Sequence, residues 1–263
     1  EIVYPTAHNT YLPLLYDAIC RFDIAAHFTG GVPASMTRVG RCLRAFLVWI
    51  EQDLDGRVLI DALRSGDISW NQPEVSVAQV TAWLLQGRVD RGRDAAAMAL
   101  RRVAARSSRS PDHQARQQAL QQAEARLQQF VAHVPDETEI DLSQLAQGAL
   151  GFLQMVAAEQ ETDWEEPVLA RLANISALGA TSRQPRHQQA RQLLHQLSSV
   201  RVNAKEPGPG RLAISPIADG GYSGRSHLYV LGLSESHFPS PASPDSALSD
   251  ADRERWSLPL SRD

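Results

Sequence analysis

Lysine is nearly absent from this sequence: of 26 basic residues, only Lys205 is a lysine. A phosphate-binding P-loop needs Gly-Lys-Ser/Thr so that the amine reaches the β- and γ-phosphates, whereas Lys205 is followed by Glu206 and Pro207. A restriction-type nuclease core has a metal-binding carboxylate two residues before its lysine, and here that residue is Asn203. We therefore expect no catalytic residues and no complete active site in this chain.

Cysteine and long apolar runs are also scarce. Cys20 and Cys42 are too few for a disulfide framework, a four-thiolate zinc site or an iron-sulfur cluster. No apolar run approaches the roughly 20 residues that span a bilayer, so the expectation is a cytoplasmic protein without membrane contact. The eight histidines show no metal-ligand spacing, and we predict no metal site. The net charge of -4 gives no global basic field, so contact with DNA has to be local.

The two ends of the chain have α/β character, whereas the middle has helical periodicity throughout. Strands are predicted at 2–4, 25–29, 211–217 and 227–233, the last as a continuous apolar run typical of a strand buried on both faces of a parallel sheet. Residues 206–210 form a Pro/Gly linker. We predict one discontinuous α/β domain from residues 1–56 and 206–263, interrupted by an all-α insertion at 57–205.

Arginines concentrate in residues 88–126 and acidic residues in 136–166, and the favoured interpretation is a set of solvated helix faces that partly neutralise each other. The alternative is a phosphate-contacting surface, for which Arg101, Arg102 and Arg106 are the candidates. Arg225 follows a glycine-rich turn and is a further candidate for a DNA phosphate. Trp70 lies in a polar loop, where it either stacks on a base or, as the favoured reading, packs between helices.

Several segments resemble a family of DNA-processing proteins. Residues 228–239, LYVLGLSESHFP, are similar to the strand and loop "V-F-V-x-G-L-x-E-G-x-F-P" of AddB-type (RexB-like) helicase-nuclease subunits, with Gly232, Glu235, Phe238 and Pro239 as the matching residues. Residues 247–255 resemble the "L-L-x-D-x-E-R" that follows. Tyr11 to Leu15 resemble a "Y-x-P-L-L" helix, and residues 32–41 a segment with "T-x-x-G-R".

The resemblance extends to the second motor domain of UvrD/Rep-like superfamily-one helicases. It implies a parallel-sheet, P-loop-NTPase-like (RecA-like) fold, with residues 57–205 in the place of the 2B insertion. The "T-x-H-x-x-K-G-L-E-F" segment of active helicases is missing from residues 214–227. The chain is therefore expected to be an excised part of a larger DNA repair protein that scaffolds and handles DNA. ATP and Mg²⁺ are expected only with the missing parts of the complex, and the expected partners are DNA, the rest of the parent polypeptide and a helicase partner subunit.

Two other functions remain open at this stage. The first is a protein–protein interaction module that never contacts DNA. The second is an independent hydrolase, for which the only sequence feature is the misspaced serine turn at residues 221–224.

Overall fold

A computed structural model describes residues 1–5, 11–106, 113–156, 162–179, 182–202, 209–221, 224–233 and 255. The chain forms two compact units, which we call the sheet unit (Glu1–Val32 with Asn203–Asp263) and the helical unit (Pro33–Val202). In chain order the elements are β1 (Ile2–Tyr4), α1 (Tyr11–Arg21), β2 (Ala26–Phe28), β3 (Val32–Pro33), α2 (Arg38–Glu51), α3 (Gly56–Arg64), α4 (Val77–Gln86), α5 (Ala95–Arg106), α6 (His113–Ala132), β4 (Glu139–Ile140), α7 (Leu142–Val156), α8 (Thr162–Ala177), β5 (Gln184–Pro185), α9 (Arg186–Ser198), β6 (Arg201–Val202), β7 (Leu212–Pro216) and β8 (Tyr229–Val230).

The sheet unit is built on four strands in the order β2-β7-β1-β8. All three pairings are parallel: Ile2 is opposite both Ile214 and Tyr229, and Phe28 is also opposite Ile214. Strand β7, from the late part of the chain, therefore lies between two strands from its beginning. The prediction of a mixed α/β protein with a parallel sheet that joins both ends of the chain is confirmed.

The prediction that residues 227–233 form a strand buried on both faces is wrong. Only Tyr229–Val230 form a strand, and Leu228, Tyr229 and Val230 are 50%, 60% and 37% exposed. The reason is position: β8 lies at the edge of the sheet, with β1 as its one partner among the described strands. An apolar run indicates that its residues are suited to burial. Whether they are buried depends on how many strands and helices cover them in the fold.

The core of the helical unit is an aromatic cluster. Phe46 of α2 and Phe152 of α7 stack with ring centroids 4.1 Å apart, and Phe130 of α6 meets Phe152 edge to face at 5.6 Å. All three side chains are completely buried. Such pairs add about 0.5–1.5 kcal/mol beyond the apolar area that they bury.

Helix α2 belongs to the helical unit, whereas the sequence interpretation placed residues up to 56 with the sheet. The apolar stripe of α2 (Leu43, Phe46, Leu47 and Ile50) is buried, and the helix packs against α7 and α9. The stripe itself was visible in the sequence, but a stripe does not say which surface covers it. The units divide at residues 32/33 and 202/203.

The start of α2 explains the "T-x-x-G" part of the family-like segment. The Thr37 hydroxyl caps the helix by accepting a hydrogen bond from the Gly40 N–H at 3.1 Å, and it donates to the Ala34 carbonyl at 2.7 Å. The Ala34 carbonyl therefore lies against the Cα of Gly40, and a Cβ at Gly40 would overlap the carbonyl oxygen. Threonine supplies the cap, and glycine supplies the space.

None of the helices in the described ranges has both the length and the apolar character that crossing a bilayer requires.

Candidate nucleic-acid interface

Two of the segments that carry the family resemblance meet at the end of β8. Gly232 has φ +68°, and a Cβ built there would lie 2.7 Å from the Tyr11 hydroxyl oxygen and 2.9 Å from Cγ of Pro5. Two features favour glycine at this position: the positive φ, and the close approach of the Tyr11 side chain of α1. Of the other predicted motif residues, Glu235, Phe238 and Pro239 lie outside the described residues.

A row of polar side chains crosses one face of the sheet. The Thr29 and Ser215 hydroxyl oxygens are 2.9 Å apart, and the Ser215 hydroxyl donates to Oε1 of Glu1 at 3.4 Å. The same carboxylate oxygen accepts from the Gly221 N–H at 3.1 Å. Gly220 lies against Val3 with no room for a Cβ. The row thus ties Gly221, which follows β7, to Glu1 at the start of β1.

His27 on β2 lies in the same sheet and is 1% exposed, and its Nδ1 has no hydrogen-bond partner. Burial lowers the pKa of this imidazole, and the nearby Arg211 guanidinium lowers it further. Both effects favour the neutral ring, because a buried cation without a partner is costly. In the described part of the chain no hydrogen bond links His27 to a serine or a carboxylate, and we assign it a packing role. Ser223, the basis of the hydrolase alternative, lies outside the described residues.

The three candidate arginines of α5 make structural contacts. Arg101 forms an ion pair with Glu124 at 2.7 Å. Arg102 donates to the carbonyls of Gly87 and Arg88 at 3.1 and 3.2 Å, and Arg106 donates to that of Gln86 at 3.4 Å. Arg102 and Arg106 therefore satisfy carbonyls at the end of α4, where a helix favours positive charge. A role of these arginines in DNA contact stays a prediction.

Trp70 is packed inside the helical unit. The side chain is 4% exposed, its indole N–H donates to the Val75 carbonyl at 2.6 Å, and its ring meets Phe130 edge to face at 6.2 Å. This is the packing alternative considered for Trp70, and base stacking requires the ring to leave the core. Arg225, by contrast, is exposed in the sheet unit, and its predicted contact with a DNA phosphate stays a prediction.

The sequence interpretation did not identify α9 as a basic helix. Residues 182–202 contain four arginines and no aspartate or glutamate, although the whole chain has 30 acidic residues. Within this segment, α9 exposes a face of cationic, amide, imidazole and hydroxyl side chains: His187, Gln188, Arg191, Gln192, His195 and Ser198. The sequence feature that indicates this basic surface is the absence of carboxylates over 21 residues. Arginine density alone does not reveal it, because arginines are more concentrated in residues 88–126.

Comparison with known proteins gives no family. No protein-family model matches the chain, and neither does any curated protein. Among the described residues, no group of three or more His, Cys, Asp or Glu side chains is arranged to hold a metal ion.

Replacing Gly232 with alanine should destabilise the sheet unit by about 2–4 kcal/mol, because left-handed backbone strain adds to overlap with Pro5 and Tyr11. Hydrogen exchange measured by mass spectrometry should show faster exchange in β1 and β7. Gly30 is the matched control, since its φ is +78° but a Cβ there meets nothing within 4 Å. Equal effects of Gly232→Ala and Gly30→Ala would show that the contact with α1 is unimportant.

Proposed function

We propose that this chain is a non-catalytic, DNA-handling and subunit-scaffolding region of a DNA repair or recombination helicase-nuclease. In this proposal the sheet unit is RecA-like, and the helical unit takes the place of the helicase 2B insertion. The observation that supports it is the interleaving of β7 between β2 and β1. A helical block between two halves of one parallel sheet is the organisation that the family resemblance implies.

The packing of Gly232 against Tyr11 supports the same proposal. These residues lie more than 200 positions apart in the sequence, and each belongs to a segment that resembles the family. Their contact within the sheet unit gives both segments one structural role, which is to seat α1 on the end of β8. The P-loop and nuclease lysines are absent from the sequence, so we assign ATP hydrolysis and DNA cleavage to other parts of the parent complex.

Purified chain should bind single-stranded DNA weakly, and the affinity should fall steeply with salt because arginine–phosphate contacts release counterions. It should not hydrolyse ATP, with or without DNA. Fluorescence anisotropy with a labelled oligothymidine and a coupled ATPase assay measure the two properties. Turnover of ATP by the chain would contradict the non-catalytic part, and absence of DNA binding at every salt concentration would contradict the DNA-handling part.

The second candidate is a protein-interaction module without DNA contact. It is favoured by the engagement of Arg101, Arg102 and Arg106 within the helical unit. It is also favoured by α6, where the exposed residues between 114 and 132 are all glutamine or alanine. Substitution of the three arginines with glutamate should then leave unchanged the amount of DNA that is recovered with the full complex. A chain that binds no DNA but co-purifies with its parent protein or a partner subunit would identify this function.

A further inference from the structure

The surface between α2 and α9 has the shape and the charge of a binding groove. One recess, of about 410 Å³, is lined by Leu43 and Val48 of α2 and by Leu194, Leu197 and Ser198 of α9. A second recess, of about 590 Å³, lies at the other end of α9 beside Arg186 and His187. Glu51 lines both recesses, so they adjoin along one side of α9. We call this surface the α2–α9 groove.

The charge along the groove favours an anionic partner, because Arg44, Arg91, Arg186 and Arg191 stand against two carboxylates, those of Glu51 and Asp53. Arg44 stands at the rim of the apolar recess, is exposed, and makes no ion pair or hydrogen bond among the described residues. Arg191 is 72% exposed and pairs with Glu51 at 2.8 Å. Only Nε of Arg191 donates to Glu51, so the terminal N–H groups of the guanidinium are able to donate to a phosphate while the pair stays formed. No residue of α9 is acidic.

The apolar recess indicates what lies beside the anion. Most of its lining side chains are aliphatic, whereas Arg44 and Ser198 are exposed at its rim and Glu51 is its one acidic lining residue. A single-stranded nucleic acid offers this combination, because its unstacked bases are free to enter an apolar recess while its phosphates face cations at the rim. The exposed glutamines and serines of α9 add hydrogen-bond donors along about 20 Å of helix.

We infer that the α2–α9 groove binds the backbone and bases of single-stranded DNA, with Arg44 and Arg191 contacting phosphates. This inference rests on the proposed function and specifies its DNA-contacting surface. It places the contact on α9, whereas the sequence pointed to the arginines of α5.

The test compares two double variants of the full chain. Arg44→Ala with Arg191→Ala removes two phosphate contacts, so the slope of log affinity against log salt should fall by about 1.4, and affinity near 0.1 M salt by about 20-fold. Arg57→Ala with Arg64→Ala is the matched control, because it removes the same charge from exposed positions on α3. The control should lower affinity by less than about threefold.

A charge-neutral variant tests the recess itself. Ser198→Trp should obstruct the mouth of the recess and lower affinity while leaving the salt slope unchanged. Unlabelled single strand should displace the labelled oligothymidine better than duplex does, because paired bases cannot enter the recess. Circular dichroism and thermal midpoints verify that each variant is folded.

Each outcome decides a separate point. If the wild-type chain binds DNA but the groove variant matches the α3 control, the groove inference is overturned and the proposed function stands. If the wild-type chain binds no DNA, both are overturned. If duplex and single strand compete equally, the assignment to single strands is wrong.

Discussion

Replacing Gly40 with alanine should lower the free energy of unfolding by about 3 kcal/mol. Helix propensity alone favours alanine over glycine by about 1 kcal/mol, so the expected sign is opposite to that of an ordinary helical glycine. The reason is that the new Cβ overlaps the Ala34 carbonyl oxygen and lies 3.0 Å from the Ser35 nitrogen. These are backbone atoms held by the Thr37 cap, and no side-chain rotation relieves the overlap.

Urea denaturation followed by tryptophan fluorescence measures this effect, since Trp49, Trp70 and Trp83 all lie in the helical unit. Thr37→Ala is the control, because it removes the cap without adding a clash and should cost about 1 kcal/mol. If Gly40→Ala is no more destabilising than Thr37→Ala, the tight turn before α2 is not a constraint.

The layered sheet was predictable because its signals are local. An apolar run at residues 2–4, ended by Pro5, and an alternating pattern at residues 211–217, preceded by Gly210, both indicate short strands. A Pro/Gly linker at 206–210 marks the return from helical to β character. The register was not predictable in the same way, because it depends on the polar row from Thr29 to Glu1, whose members come from three separate strands or strand ends.

The roles of the arginines were the least predictable feature of the candidate site. Arg102 and Arg106 look like free cations in the sequence, but packing of α5 against α4 brings carbonyls of residues 86–88 within their reach. Arg44 and Arg191 look no different in the sequence, yet both stay exposed, Arg44 at the apolar recess and Arg191 in a pair with Glu51. Charge patterning identifies a basic segment, and the carbonyls and carboxylates that the fold brings near it decide which cations are already engaged.

Truncation of Phe152 to alanine should cost about 4 kcal/mol, within the range of 3–5 kcal/mol for removal of a buried phenylalanine. Phe152 is fully buried and contacts the rings of Phe46 and Phe130. The ring centroid of His133 lies 6.4 Å from that of Phe152. The loss therefore combines transfer of apolar surface, a cavity at the centre of three helices and two ring pairs. The midpoint of urea unfolding should fall with little change in its slope.

Leu178→Ala is the control for Phe152→Ala, because Leu178 is 71% exposed at the end of α8 and its truncation should stay within about 0.5 kcal/mol. The comparison separates burial from hydrophobicity, since both residues are large and apolar. A cost below about 2 kcal/mol for Phe152→Ala would mean that α2, α6 and α7 close the cavity, and that the aromatic cluster does not fix their packing. A large cost, with hydrogen exchange in β1 and β7 unchanged, would show that the sheet unit keeps its stability when the core of the helical unit is weakened.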